Sequence, residues 1–344
     1  MRRVGSRFVW GAVYYVSLAA AFFAVSTAQS RAAALAKGFE WADGTAPGTA
    51  DLMYDGKPVL RYMYAFDRST PQRTTETFKV FHHVFGPGSE DLITNGGPSG
   101  LYPHHRGLFV GWRQTRFPGG EIDSWHCIKG AHQRHVRFLE KGGDAHAGTM
   151  TAEISWEDGH DKPVIDETRS VRVTNVGPPG GTPAWQIDWS TRLQSRRGNI
   201  ELTGDRQHSG FQFRAAQSVA DTKATYIRPK GFPQDPKAYE VDDRKDPDKY
   251  INLGWLAMSY KINGKPYTVT YFEDPSLPKP SRFSERPYGR FGAFFKTTLT
   301  PEKPLTMRYR LIVTAGPPPE RDAIQAEYDQ FVNELSRQAR AHAR

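Results

Sequence analysis

Trp255-Leu-Ala-Met-Ser-Tyr-Lys-Ile-Asn-Gly-Lys-Pro-Tyr-Thr-Val-Thr-Tyr-Phe272 reads as two extended runs folded back on each other at Asn263-Gly264. Aromatic and β-branched residues fill both runs, and Asn-Gly tolerates the left-handed dihedrals of a tight hairpin. The rest of the chain follows the same style. Residues 149–156 alternate, with Met150, Ala152, Ile154 and Trp156 on one face. In 185–193, Trp185, Ile187, Trp189 and Leu193 oppose Gln186, Asp188 and Arg192. Further strands are predicted at 52–64 (turning at Asp55-Gly56), 77–85, 135–140, 164–174, 199–203, 210–215, 290–296 and 305–314. The stretches 86–100, 226–250 and 274–287 are rich in Gly, Pro, Asn or Asp and read as loops. One helix is expected at 320–341, where Ile324, Tyr328, Phe331 and Leu335 form a single apolar stripe. The fold class is mostly β: a large antiparallel β-sandwich, or supersandwich, with a C-terminal amphipathic helix.

Composition agrees. In 344 residues, 12% are aromatic, and 32 Gly and 25 Pro supply turns. No repeat or change of composition divides the chain, so 51–344 is expected to form a single domain. Ahead of it, Arg2, Arg3 and Arg7 precede an apolar run from Phe8 to Val25 and the small residues Ser26-Thr-Ala28. That is the pattern of a signal peptide, 1–28, cut after Ala28; an uncleaved anchor is the alternative. A linker is expected at 29–50. The mature protein is expected in the periplasm or outside the cell, touching a membrane only through an uncleaved leader. The net charge of +9 is scattered and has no basic block suited to nucleic acid. It suits a small polar ligand, anionic ones included. Cys127 is the only cysteine, so no intrachain disulfide forms. It is either a reactive group beside His126 or a small buried residue.

Seven of the eleven His lie between Val80 and Arg137. Among them, Tyr102-Pro-His-His-Arg-Gly107 places His104 and His105 on opposite faces of a regular strand. A backbone bend at Pro103 would let both reach one pocket. In Asp123-Ser-Trp-His126 the carboxylate is placed to fix the tautomer of His126 for acid–base work. Trp112 and Trp125 offer flat faces on which a sugar ring could pack, or they are core residues. His208, Gln212 and Arg214 form a polar row opposite Phe211 and Phe213, which faces either ligand or solvent. Asp123, Glu121, Asp205, Asp221 and Asp274 are candidate carboxylates for glycosidic cleavage, without a geometric test. No Gly-x-Ser-x-Gly, phosphate loop or Cys-x-x-Cys occurs. No cofactor is favoured and no metal ligand is assigned. Copper or zinc stay open because strand and loop sites leave no spacing signature; His104, His105 or His126 would be the first ligands.

Tyr-Pro-His-His-Arg-Gly at 102–107, Asp-Ser-Trp-His at 123–126, Gly-Phe-Gln-Phe-Arg at 210–214, Glu-Asp-Pro-Ser at 273–276 and Arg-Pro-Tyr-Gly at 286–289 resemble one family. It is a secreted bacterial family of unknown function that carries the label "methane oxygenase PmoA" (PmoA-like). The resemblance covers about 52–315. This chain differs from the family pattern at Ser124, where an aromatic is usual, and at Leu277, where Asn is usual. A membrane-bound methane monooxygenase needs several long apolar segments. This chain has one, at its start, and a mean hydropathy of −0.62, so that activity is excluded.

The sequence therefore points to an exported protein that acts on carbohydrate, as a hydrolase, lyase or epimerase. His105, His126, Asp123 and His208 would be catalytic. His104, Arg106, Trp112, Trp125, Gln212 and Arg214 would hold the substrate. The alternatives are a non-catalytic glycan-binding module and a soluble copper or zinc enzyme.

Overall fold

In the Asn263-Gly264 turn both residues take positive φ, 51° and 79°. The two strands pair from Ile262–Lys265 to Trp255–Phe272, as the alternation predicts. The computed structural model describes residues 38–342 apart from 45, 98 and 236–249. The leader expected at 1–28 lies outside the described residues.

All strand pairs are antiparallel and fall into three sheets. The first runs β1 (Phe39–Asp43), β2 (Thr49–Tyr54), β3 (Lys57–Met63), β4 (Phe81–Val84), β5 (Leu108–Trp112), β13 (Ser209–Arg214), β18 (Arg290–Phe294), β17 (Arg282–Arg286). The second runs β14 (Thr225–Ile227), β15 (Trp255–Ile262), β16 (Lys265–Glu273), β20 (Leu305–Ala315), β11 (Trp185–Ser195), β10 (Pro163–Asn175), β9 (Ala147–Glu157), β8 (His132–Gly143). A small third sheet holds β19 (Thr297–Leu299), β12 (Ile200–Thr203), β6 (Gln114–Phe117) and β7 (Gly120–Ile122). The helices are α1 (Pro71–Thr77), α2 (Val219–Thr222) and α3 (Arg321–His342).

The two large sheets pack face to face. Leu60, Val84, Val110 and Phe211 from the first share one core with Met150, Ile154, Ile187 and Leu311 from the second. Phe211 stands 4.7 Å from Trp189 and 4.6 Å from Tyr309, ring centre to ring centre. Each such buried side chain contributes about 1.5–3 kcal/mol of apolar burial. The stripe of α3 covers the outer face of the second sheet: Ile324 and Phe331 are buried against Trp255, Ala257 and Phe272.

Four expectations need correction. Residues 39–43, read as linker, are β1, paired with β2 and pinned by the Trp41 indole donating to Thr149 O at 2.8 Å. Extended chain was expected at 77–85, but 71–77 form α1 and the strand starts only at Phe81. Pro71 opens that helix, and the Thr70 hydroxyl caps Arg73 N at 3.0 Å. The Pro-rich stretch 274–287 contains β17, which closes the edge of the first sheet. The small third sheet was only partly anticipated, because its strands are too short to show alternation. Among the described residues no helix is long and apolar enough to cross a membrane.

Candidate functional site

Strand β5 ends at Trp112, and two turns hang from that end. Gly111 lets the first approach: a Cβ there would stand 2.5 Å from Ser124 O. Ser124 then staples its turn to the strand. Its N–H donates to Trp112 O at 3.0 Å, and its hydroxyl accepts from Trp112 N at 3.0 Å. The second turn is held across the same strand end, where Arg113 N donates to His208 O at 2.9 Å and Ser209 pairs with Trp112.

The two turns share a design. In Asp123-Ser-Trp-His126, Asp123 Oδ1 accepts the backbone N–H of Trp125 and His126 at 3.0 and 2.7 Å. Its Oδ2 lies 2.7 Å from His126 Nδ1. In Asp205-Arg-Gln-His208, Asp205 Oδ1 accepts Gln207 N at 2.8 Å and lies 2.9 Å from His208 Nδ1. A carboxylate only accepts, so in each neutral imidazole Nδ1 carries the hydrogen and Nε2 keeps its lone pair.

The third arm is the bend predicted at Pro103. Tyr102 takes φ +55°, and His105 N turns back to Tyr102 O at 3.0 Å. Arg106 locks the bend from within: its guanidinium donates to Pro103 O, Gly96 O and Thr75 O at 2.8, 2.8 and 3.0 Å. Asn95 Nδ2 donates to His105 O at 2.9 Å. The bend turns both imidazoles to one side, with ring centres 4.3 Å apart. His104 then stands 4.6 Å from His126 and 6.2 Å from His208, and His126 is 5.0 Å from His208. One nitrogen from each of these three half-buried rings lies within 4.8 Å of the others.

Electrostatics sharpen the arrangement. Burial raises the Asp205 carboxyl, but hydrogen bonds from the His208 ring, Gln207 N and Arg113 help outweigh it and bring it down to about 2. Burial likewise opposes ionisation of Asp123, and the bonds from the His126 ring and backbone overcome it, leaving a net downward shift. His104 is brought down to about 3, first by burial and then by His126 and Lys79. His105 is driven well below the ordinary histidine range by burial and by Arg290. Lys79 lies fully inside beneath the loops, donating to Trp125 O and His104 O, and burial lowers it to about 8.

A cavity of about 390 Å³ opens beside His104 and His126, walled by Phe66, Phe78, Pro103 and Ile128. Thr74, Thr75, Arg68 and His132 give it polar edges.

The other predicted residues divide sharply. His105 stands beside the trio, buried, with both ring nitrogens unpartnered. Trp125 is fully buried with Phe81 and Phe109, so it backs His105 rather than offering a face to a ring. Trp112 belongs to the sandwich core, its indole bonded to Phe295 O at 3.2 Å. Gln212 is buried and accepts from Arg290 at 3.0 Å. Arg214 donates to Ala215 O and Tyr288 O, and Arg106 is spent on the bend. These side chains build the wall, because strands of the first sheet are covered on their outer face here. Asp205 escaped assignment as the partner of His208. The repeated Asp-x-x-His spacing was the signal for it. Cys127 is buried and its thiol is pushed up to about 11 by that burial, so it is the small buried residue of the two readings.

Fold and site together define a two-sheet β-sandwich protein with a three-histidine centre at the rim of one sheet. The chain belongs to a family of unknown function, DUF6807, whose model matches residues 49–329. No curated protein matches it. Among solved structures, one assigned as a kojibiose phosphorylase from the human microbiome is 9% identical at a TM-score of 0.30, with 84% of this chain and 32% of that one covered. The chain thus spans about a third of that protein. A GalM/aldose epimerase homologue from C. elegans is 10% identical at a TM-score of 0.30, with 82% and 99% covered.

Proposed function

We propose that the protein is an exported enzyme acting on carbohydrate, as a hydrolase, lyase or epimerase, and that His104, His126 and His208 form its reaction centre. One observation carries this reading. Three imidazoles from distant stretches bring one nitrogen each within 4.8 Å of the others beside a cavity, and carboxylates hold two of the rings at Nδ1. Such a cluster supplies what cleavage or epimerisation of a sugar needs, a group to hold or accept a proton from water, hydroxyl or carbon. The neighbouring cavity pairs the faces of Phe66 and Phe78 with threonine hydroxyls, which suits a ring with C–H faces and a polar edge. A non-catalytic glycan module calls for a shallow aromatic groove and no such convergence. The signal peptide expected at 1–28 from the sequence supports export. Arg106 and Arg214, expected to hold the substrate, donate to backbone carbonyls instead.

The test is product analysis by mass spectrometry and proton NMR, the latter to see epimers of unchanged mass, after incubation with a panel of neutral and anionic polysaccharides and oligosaccharides. The expected result is turnover of at least one substrate, lost in His126→Ala and in His208→Ala while both variants keep the wild-type circular dichroism spectrum. Turnover that survives both substitutions would sink the assignment.

A further inference from the structure

We propose that His104, His126 and His208 are the protein ligands of a single divalent transition-metal ion, of which zinc is the best match. The inference deepens the reading of this trio as the reaction centre, but it stands on different observations. One nitrogen from each of the three rings lies within 4.8 Å of the others, a spacing that a single cation can bridge. Two of the rings are held at Nδ1 by Asp123 and Asp205, 2.7 and 2.9 Å away. A carboxylate behind the ring is the support that metal-bound imidazoles have, fixing the tautomer and raising donor strength. The third ring, His104, has a buried Nε2 with no hydrogen-bond partner. A buried ring nitrogen without a partner inside the fold is one that a bound cation can satisfy. Three imidazoles, with no fourth His, Cys, Asp or Glu grouped with them among the described residues, match a catalytic zinc site, which keeps one position open for water or substrate. The cavity adjoins His104 and His126, so that position has access.

Charge agrees with a dication. Asp123 and Asp205 each place a carboxylate behind a ring, 2.7 Å from His126 Nδ1 and 2.9 Å from His208 Nδ1. Neutral nitrogen donors favour zinc or copper over calcium or magnesium, which take oxygen. The other close group, His132, Glu157 and Asp161, is already satisfied. Arg134 and His132 hold Glu157, and Arg68 holds Asp161, so both carboxylates already have partners within the chain.

The experiment uses the mature chain without a histidine tag, stripped by a chelator and dialysed. Zinc is titrated by calorimetry, and Co²⁺ serves as a visible-light probe of ligand number. The expected result is about one equivalent bound, with the absorption of four-coordinate cobalt. His104→Ala, His126→Ala and His208→Ala should each weaken zinc binding at least about 100-fold, and the exposed control His146→Ala should leave it unchanged. Asp205→Asn removes no ligand and should weaken binding about 10–100-fold, which keeps the test sound if an alanine variant fails to fold. A folded wild-type chain that takes up neither ion, or triad variants with wild-type affinity, would overturn the proposal. Full activity of the stripped chain on its sugar would overturn the metal and leave the carbohydrate reading standing. One equivalent of tightly bound zinc with no turnover of any sugar would do the reverse.

Discussion

His82 lies flat on Tyr62, 4.7 Å between ring centres, with the edge of Trp189 5.1 Å away and no hydrogen bond on either nitrogen. Its neighbour His83 meets the Thr94 hydroxyl at 3.1 Å and packs edge-on to Phe81, 5.0 Å between ring centres. Some twenty residues later the same side chain serves a different purpose. His104, His126 and His208 are half-exposed, two of them carry a carboxylate at Nδ1, and all three face one another. The difference lies in the surroundings. Within the sandwich, imidazole is a flat neutral ring that fills space between aromatics. At the end of β5, where two turns leave the sheet, backbone geometry aims it. Burial and the absence of a carboxylate mark the first kind; an Asp three residues earlier marks the second at two of its three positions.

The sharpest way to break this contrast is to delete one ring of each kind and read both activity and stability. His126→Ala should lower kcat/KM by about 10²–10⁴-fold, the usual worth of a positioned proton-transfer or ligand group. Its cost in stability should be about 1 kcal/mol, one hydrogen bond to Asp123. His82→Ala should do the opposite. A cavity in the core costs about 2–5 kcal/mol in urea unfolding. Turnover per folded molecule should stay within about twofold. If His82→Ala removes activity from a folded chain, the two classes collapse into one.

The next effect is smaller and runs with pH. Burial is the main cause that brings His83 down to about 3 and His82 well below the ordinary range. Arg169 faces His82, and Arg61 and Arg106 lie near His83, so all neighbouring charge opposes protonation. A base with a depressed folded pKa stays neutral in the native chain while the unfolded chain takes up protons below about 6.5. Stability is therefore complete above 6.5 and is lost as pH falls from there toward about 3. Each ring contributes a slope of up to about 1.4 kcal/mol per pH unit once pH is well below 6.5. Urea midpoints at pH 7, 6 and 5 should fall steadily, and His83→Gln should flatten the trend. A midpoint that stays level across that window would show that these rings accept charge where they sit.

The same contrast explains what the sequence revealed. Strand alternation made both large sheets legible, because each strand has one apolar face turned to the core: Trp185, Ile187 and Trp189 are buried as their spacing requires. The stripe of α3 was equally plain. Short strands such as β7 and β19 carry too few residues to show a period, and α1 is set by its Thr70 cap and Pro71 rather than by a stripe. At the site, the bend at Pro103 and the pairing of Asp123 with His126 were legible, being local. That His208 would meet them depends on β5 and β13 being neighbours, a long-range pairing with no local mark. That Arg106, Arg214 and Gln212 are buried and bonded within the protein was hidden for the same reason. Polar residues on the outer face of a strand look available until loops cover that face.

Trp112 offers the smallest test and the finest edge of the comparison. It is the last residue of β5, one position from Arg113, whose N–H holds the His208 turn, yet its ring points into the sandwich. Trp112→Phe keeps the backbone bonds to Ser124 and removes only the indole bond to Phe295 O and part of the packing on Trp156. Loss of that bond and some ring volume should cost about 1–2 kcal/mol in a urea melt. KM for any sugar should not move, because no face of the ring reaches the cavity. A raised KM in this variant with unchanged stability would place the ring in contact with substrate and move the boundary between wall and site by one residue along the strand.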